Sequence, residues 1–275
     1  MKKTGDTTCL RWIESLLAAF VCWGLGRVTC CLLEVAPDSP VLLLLAGCTF
    51  LVYTLDAELP YSPEDHRSYS VIRLAPFVGG AVVATAWSAL IFRKEALFGV
   101  AILAAISVLY MLPILPGNRR LKDLPMAKTA IVSIGWGIST VLIPALQSAE
   151  LSTSTVFWLL AYRIAFLVPN ILASDWPDRS SDREAGIRTP ANSLSNRQFL
   201  MVCRSAAAAA AAIAILAAII GVLPAWILAD AVGVVIASAI IGSQAQHRPA
   251  KYRLLLDVVA LWPLVPALIA QILLG

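Results

Sequence analysis

Nine apolar runs follow one another along this chain with only short polar stretches between them. They cover roughly Trp12–Leu33, Pro40–Leu55, Val71–Phe92, Ala96–Leu115, Ala127–Leu146, Val156–Ser174, Phe199–Gly221, Leu223–Ser243 and Leu254–Leu274. A helix needs ~20 apolar residues to cross a bilayer, and most of the runs approach that length. In lipid every backbone N–H and C=O must find a partner within the protein, which a helix achieves by itself. Composition agrees: 59% of the 275 residues are apolar, 14% are charged and the mean hydropathy is +0.81. Soluble domains carry about 25% charge, and a water-soluble core of this length cannot hide so much apolar surface. A soluble enzyme, a disordered chain and a secreted disulfide scaffold are excluded. The expected fold class is all-α, a polytopic bundle of nine transmembrane helices forming one integral-membrane domain over residues 1–275.

Basic residues set the expected orientation. With a cytoplasmic N-terminus and nine spans, 17 of the 21 Lys and Arg residues fall on the cytoplasmic side, and only Arg93 and Lys94 in the outer loops. Such a bias favours N-in and C-out in a plasma (inner) membrane. The first run follows Met1-Lys2-Lys3 but is long and contains Arg27, so it reads as a retained span. The basic residues lie in separate loops and make no continuous face, so no nucleic-acid partner is expected. The six cysteines make no CxxC pair and read as small packing residues. His66 and His247, the two histidines, fall in loops, against a histidine-based metal centre.

The segment after the sixth run carries Asp175, Asp178 and Asp182 at i, i+3 and i+7. On a continuing helix they share about 60° of one face, with Pro177 as a local distortion. Three carboxylates at the C-terminal end of a helix repel one another and meet the negative end of its dipole. A divalent cation relieves both costs, and Mg²⁺ takes carboxylate oxygens while sharing sites with phosphate. The plainer alternative is a solvated loop paired with Arg179 and Arg183. A second acidic group, Asp56, Glu58, Glu64 and Asp65 with Arg67, ends the second run on the same side. A basic loop between runs four and five holds Arg119, Arg120, Lys122 and Lys128, and reads either as a membrane anchor or as a phosphate contact. Arg163 lies within the sixth run, seven residues before Asn170. It either meets a ligand's anionic group or pairs with an acid such as Asp230.

The stretch DWPDRSSDREAGIRTP resembles the second aspartate motif of the UbiA-type intramembrane prenyltransferases, with Asp175, Asp178, Asp182, Gly186, Thr189 and Pro190 in place and Asn170 preceding it. RLKDLPMAKTAIVSIGW resembles that family's loop between spans four and five. Setting Asp56 at the leading polar position of the first motif puts Pro60 where the central aspartate stands and Glu64 at the last acid, with Asp65 adjacent. The resemblance implies Mg²⁺-dependent transfer of a prenyl group from an isoprenoid diphosphate to a lipophilic or aromatic acceptor, at a site opening to the cytoplasm. It assigns Asp175, Asp178 and Asp182 to one catalytic metal, and Asp56 with Glu64 or Asp65 to another. Arg67, Arg119, Lys122 and Lys128 become diphosphate contacts, and Asn170 and Arg163 line the substrate pocket. Pro60 also leaves room for a divergent member that binds isoprenoid without turnover. A secondary transporter is the reading from a different class, against the lack of an internal repeat.

Overall fold

The computed structural model describes residues 4–58, 71–112, 115, 116, 120, 121, 124, 127–148, 152–184, 186, 188–244 and 249–274. All regular elements among them are helices: α1 Thr4–Leu32, α2 Ser39–Glu58, α3 Val71–Ile91, α4 Lys94–Met111, α5 Ala127–Gln147, α6 Thr153–Ser174, α7 Arg179–Glu184, α8 Pro190–Ser193, α9 Asn196–Ile219, α10 Leu228–Gln244, α11 Pro249–Ala260 and α12 Leu264–Leu274. Seven helical stretches among the described residues are long and apolar enough to cross a membrane, α11 and α12 counting together. Two shorter apolar helices, Val82–Ile91 and Ala225–Ile241, fall within the third and eighth expected runs.

Helix α1 lies deepest, with Leu25 and Val28 fully buried. It packs against α2, the second half of α5, α11 and α12. Helix α6 packs on α5, α9, α10 and α11. Their shared core joins Leu25, Leu159, Tyr162 and Phe166 to the small residues Ala207, Ala210, Ala214 and Ala217 of α9. The alanine run is thus a helix-packing surface. Outward faces carry Leu43, Leu90, Phe98, Ile219 and Ile272 exposed, the side chains a lipid surface accepts and water does not.

Tight backbone devices join the spans. Gly221 (φ 70°) ends α9, with the N–H groups of Gly221 and Val222 donating to the carbonyls of Ala218 and Ala217. That left-handed cap turns the chain within a few residues. Glu34 (φ 55°) closes α1 with the same two bonds, to Cys31 and Cys30. The last run is not one straight helix, because Pro263 follows a turn that separates α11 from α12. Helix α5 contains a π turn at Ile138–Leu142. Pro144 supplies no N–H there, and the Thr140 hydroxyl donates to the Trp136 carbonyl at 2.6 Å. Five cysteines, Cys22, Cys30, Cys31, Cys48 and Cys203, are free thiols.

At one end of the bundle the Gln147 side chain ties three connections. Its Nε2 donates to Asp38 Oδ2 (3.1 Å) and to the Ile91 carbonyl (3.2 Å), and its Oε1 accepts from the Arg93 N–H (3.1 Å). The acidic segments lie at the other end. Helices α5 and α6 run antiparallel and cross closely at Gly137, where a Cβ would come within 2.9 Å of Ile164 and Leu160 side chains. That crossing sets the start of α5 beside the end of α6.

Gly233 of α10 meets Trp262, whose Nε1 donates to the Ala229 carbonyl at 2.9 Å. A Cβ at Gly233 would stand 2.3 Å from Trp262 Cδ1. Overpacking of this kind costs about 1–3 kcal/mol. Gly233→Ala is therefore expected to lower the melting temperature in detergent, while Gly47→Ala, where a Cβ meets nothing within 4 Å, leaves it unchanged.

Candidate functional site

Helix α6 stops at Ser174 rather than continuing through the acids. Pro177 has no N–H to donate, and the chain instead makes turns in which the N–H groups of Asp175 and Trp176 donate to Leu172 and Ala173. A short helix, α7, then begins at Arg179 and carries Asp182. The three aspartates are thus not one face of one helix, which corrects the sequence expectation. They are gathered by the tight turn between α6 and α7, in which the Asp178 N–H donates to the Asp175 carbonyl and the Asp182 N–H to the Asp178 carbonyl.

That turn is packed against α9. Trp176, buried to 6% exposure, packs on the fully buried Phe199 of α9 with ring centroids 4.8 Å apart. The Arg179 guanidinium also lies over the Trp176 ring, 4.5 Å from its centroid. Arg183 donates from Nη2 to the Asn192 carbonyl at 2.8 Å. Gly186 ends α7 at φ 72°, a left-handed conformation that a side chain strains. Helix α9 then starts at a capping box, Ser195 with Gln198.

Asp175 is buried to 1% exposure, and its Oδ1 forms an ion pair with Lys128 Nζ. Its Oδ2 has no hydrogen-bond partner. Burial pushes the Asp175 carboxyl above its ordinary range; the Lys128 charge opposes that rise, and Asp182 and Asp178 add to it. Burial thus makes the ionised carboxylate less favourable here than in water, and the facing Lys128 offsets part of that cost. Asp182 is also buried, and Lys128 lies within electrostatic reach of all three aspartates.

The other acidic segment approaches from α2. Asp56, half-buried, bears electrostatically on Tyr53 and Tyr110. Tyr110, at the end of α4, also feels Asp175 and Arg120. One tyrosine therefore stands in the fields of both acidic segments and of a buried arginine. Tyr53 accepts a hydrogen bond from Trp136 Nε1 at 3.2 Å and feels Asp257 of α11. The sequence gives no individual role to Tyr110, Tyr53 or Trp136, and takes Arg120 only together with its basic loop. Arg120 is hidden there beside Arg119 in a basic run, and the aromatics read only as parts of apolar spans.

Asn170 is buried, and neither its Oδ1 nor its Nδ2 has a hydrogen-bond partner. Arg163 is fully buried one helical stretch further from the acids, facing the Asp230 charge. Glu64, Asp65, Arg67, Arg119 and Lys122 lie outside the described residues. Among the described residues, no three His, Cys, Asp or Glu side chains form a complete metal cluster. The donors that are present suit a hard cation, since they are all carboxylate oxygens and one of them, Asp175 Oδ2, is buried without a hydrogen bond. A Mg²⁺ here would complete its shell with water and phosphate oxygens.

Residues 70–262 match the model of the UbiA prenyltransferase family. The apo structure of a UbiA homologue from Aeropyrum pernix K1 superposes with a TM-score of 0.61 at 16% identity, covering 95% of this chain and 98% of that one. No curated protein sequence matches the chain.

Proposed function

The chain belongs to the UbiA prenyltransferase family, and on that premise we propose that it transfers a prenyl group from an isoprenoid diphosphate to a lipophilic or aromatic acceptor within the membrane. The observation that supports this reading most is the buried Asp175 ion-paired with Lys128, with Asp178 and Asp182 close by and Arg120 near Tyr110. Fixed opposite charges at one membrane face are what binding a metal diphosphate requires. Asp175, Asp178 and Asp182 would hold Mg²⁺, with Asp56 and Glu64 or Asp65 serving a second ion. When bound, Mg²⁺ neutralises charge that develops on the departing diphosphate.

The chain's own groups do the rest. Lys128 and Arg120, together with Arg67, Arg119 and Lys122, attract the diphosphate. The allylic C–O bond breaks with its electron pair leaving on the diphosphate. An acceptor atom bonds to the allylic carbon and loses a proton. Tyr53, Trp136 and Tyr110 supply aromatic faces near the acids, which suit a carbon turning cationic, and the surrounding helices exclude water from it. Asn170, with free amide atoms, offers hydrogen bonds to a polar group of the acceptor. We place this site on the cytoplasmic side of a plasma (inner) membrane, in a nine-span topology with the N-terminus inside and the C-terminus outside.

A non-catalytic isoprenoid-binding member of the same fold is a second reading, favoured by Pro60 at the central position of the first motif. The two are separated by a non-ionisable allylic thiodiphosphate and its reactive counterpart. The transferase reading expects Mg²⁺-dependent binding of the analogue and conversion of the diphosphate. Binding without conversion, across chain lengths and acceptors, supports the second reading. No binding of either overturns both.

A further inference from the structure

Three ionisable or phenolic side chains meet deep in the bundle, away from the acidic site. Arg163 lies mid-way along α6, Tyr162 beside it, and Asp230 in the first turn of α10, all at 0% exposure. From Arg163 to Asp175 is twelve residues of helix, on the order of 18 Å. The Tyr162 hydroxyl donates to Asp230 Oδ2 at 3.1 Å. Asp230 Oδ1 has no hydrogen-bond partner, and neither do Nε, Nη1 and Nη2 of Arg163. Asp230 and Arg163 attract each other across this space, yet they make no hydrogen bond to one another. The walls are apolar, with Leu159, Phe166, Ile227 and Val234 in the same core.

A buried guanidinium with none of its donors used is costly in an apolar interior. What relieves it must accept from Arg163 and donate to Asp230 Oδ1. It must be uncharged, because Arg163 and Asp230 already balance, and it must be small, because all three side chains are fully buried. Water meets all four conditions, and buried waters commonly satisfy two to four such groups.

We infer that Arg163, Tyr162 and Asp230 form an internal hydration site, in which bound water bridges the guanidinium to the carboxylate and joins α6 to α10. The site is independent of the transferase reading. Arg163 is then not a contact for the acceptor, and its role is to hold the helix whose far end carries Asp175.

The test uses the full chain in detergent with Arg163→Leu, Asp230→Leu and the double variant. Each single change strands one buried charge and should lower the melting temperature by about 10 °C. The double change removes both charges and should restore most of that loss. In the wild type, synchrotron-generated hydroxyl radicals, which form at bound water, should modify Tyr162 despite its burial. The modification should disappear in the double variant. Additive losses in the double variant overturn the coupling, and an inert Tyr162 in the wild type overturns the water. A melting temperature that depends on chloride, against gluconate at equal ionic strength, would assign the site to an anion instead. If either single variant fails to fold, the double variant and the wild-type labelling still decide.

Discussion

Asp178→Ala is expected to reduce Mg²⁺-dependent release of diphosphate from an allylic isoprenoid diphosphate by about 10²–10³-fold, the usual loss when one preorganised electrostatic contact to a developing charge is removed. The reason lies in where Asp178 sits. It is half-buried in the turn between α6 and α7, its N–H donates to the Asp175 carbonyl, and its own carbonyl accepts from Asp182. It is therefore held between the other two acids by the backbone. The side chain is not part of the apolar core, so its removal should leave the melting temperature close to that of the parent. A variant that stays folded and turns over at the parent rate would remove Asp178 from the metal site.

Lys128→Met has an effect of a different kind, and a larger one on stability. Asp175 is buried to 1% exposure and Lys128 to 30%. Removing one partner of a buried pair leaves the other charge uncompensated, which costs about 3–5 kcal/mol; the partial exposure of Lys128 puts the expected loss at the lower end. A bound divalent cation would face the same carboxylate and recover part of that energy. The variant should therefore melt well below the parent in EDTA and recover a substantial part of the difference in excess Mg²⁺. The parent should show the smaller response to metal. Equal responses of the two proteins would mean that the metal does not reach Asp175. Activity of the variant should fall as well, since Lys128 lies within electrostatic reach of all three aspartates and is proposed as a contact for the diphosphate.

Much of this site was legible in the sequence because its second acidic segment is local. Asp175, Asp178, Asp182, Gly186, Thr189 and Pro190 fall within sixteen consecutive residues, and both spacing and resemblance point to them. Their geometry was not legible. A helical wheel places the three acids on one face, but Pro177 breaks the helix, and the acids are assembled by a turn that Trp176 and Phe199 hold down. Spacing within a sequence cannot show that stacking, because Phe199 belongs to the next long helix.

The partners of the acids are non-local in the same way. Lys128 reaches Asp175 because Gly137 allows α5 and α6 to cross closely. Tyr110 reads in the sequence as an aromatic in an apolar span, and only the packing of the helices brings it into the field of Asp56, while Tyr53, three residues before Asp56 on α2, meets Trp136 of α5 only in the fold. Arg163, which the sequence leaves open between a ligand and Asp230, is fully buried within electrostatic reach of Asp230. The break at Trp262-Pro263 is hidden by a run that is apolar but for Asp257 and Gln271, where hydropathy records lipid compatibility and not helix continuity.

The proposed function rests on one step, ionisation of an isoprenoid diphosphate by the buried acids, the cations facing them and Mg²⁺. The most direct measurement is diphosphate release by the purified protein from allylic diphosphates of several chain lengths, with Mg²⁺ and with EDTA, beside the Asp178→Ala control. Release that requires Mg²⁺ and is lost in the control is the expected result. Release unaffected by EDTA, or none at any chain length with candidate acceptors present, would contradict it.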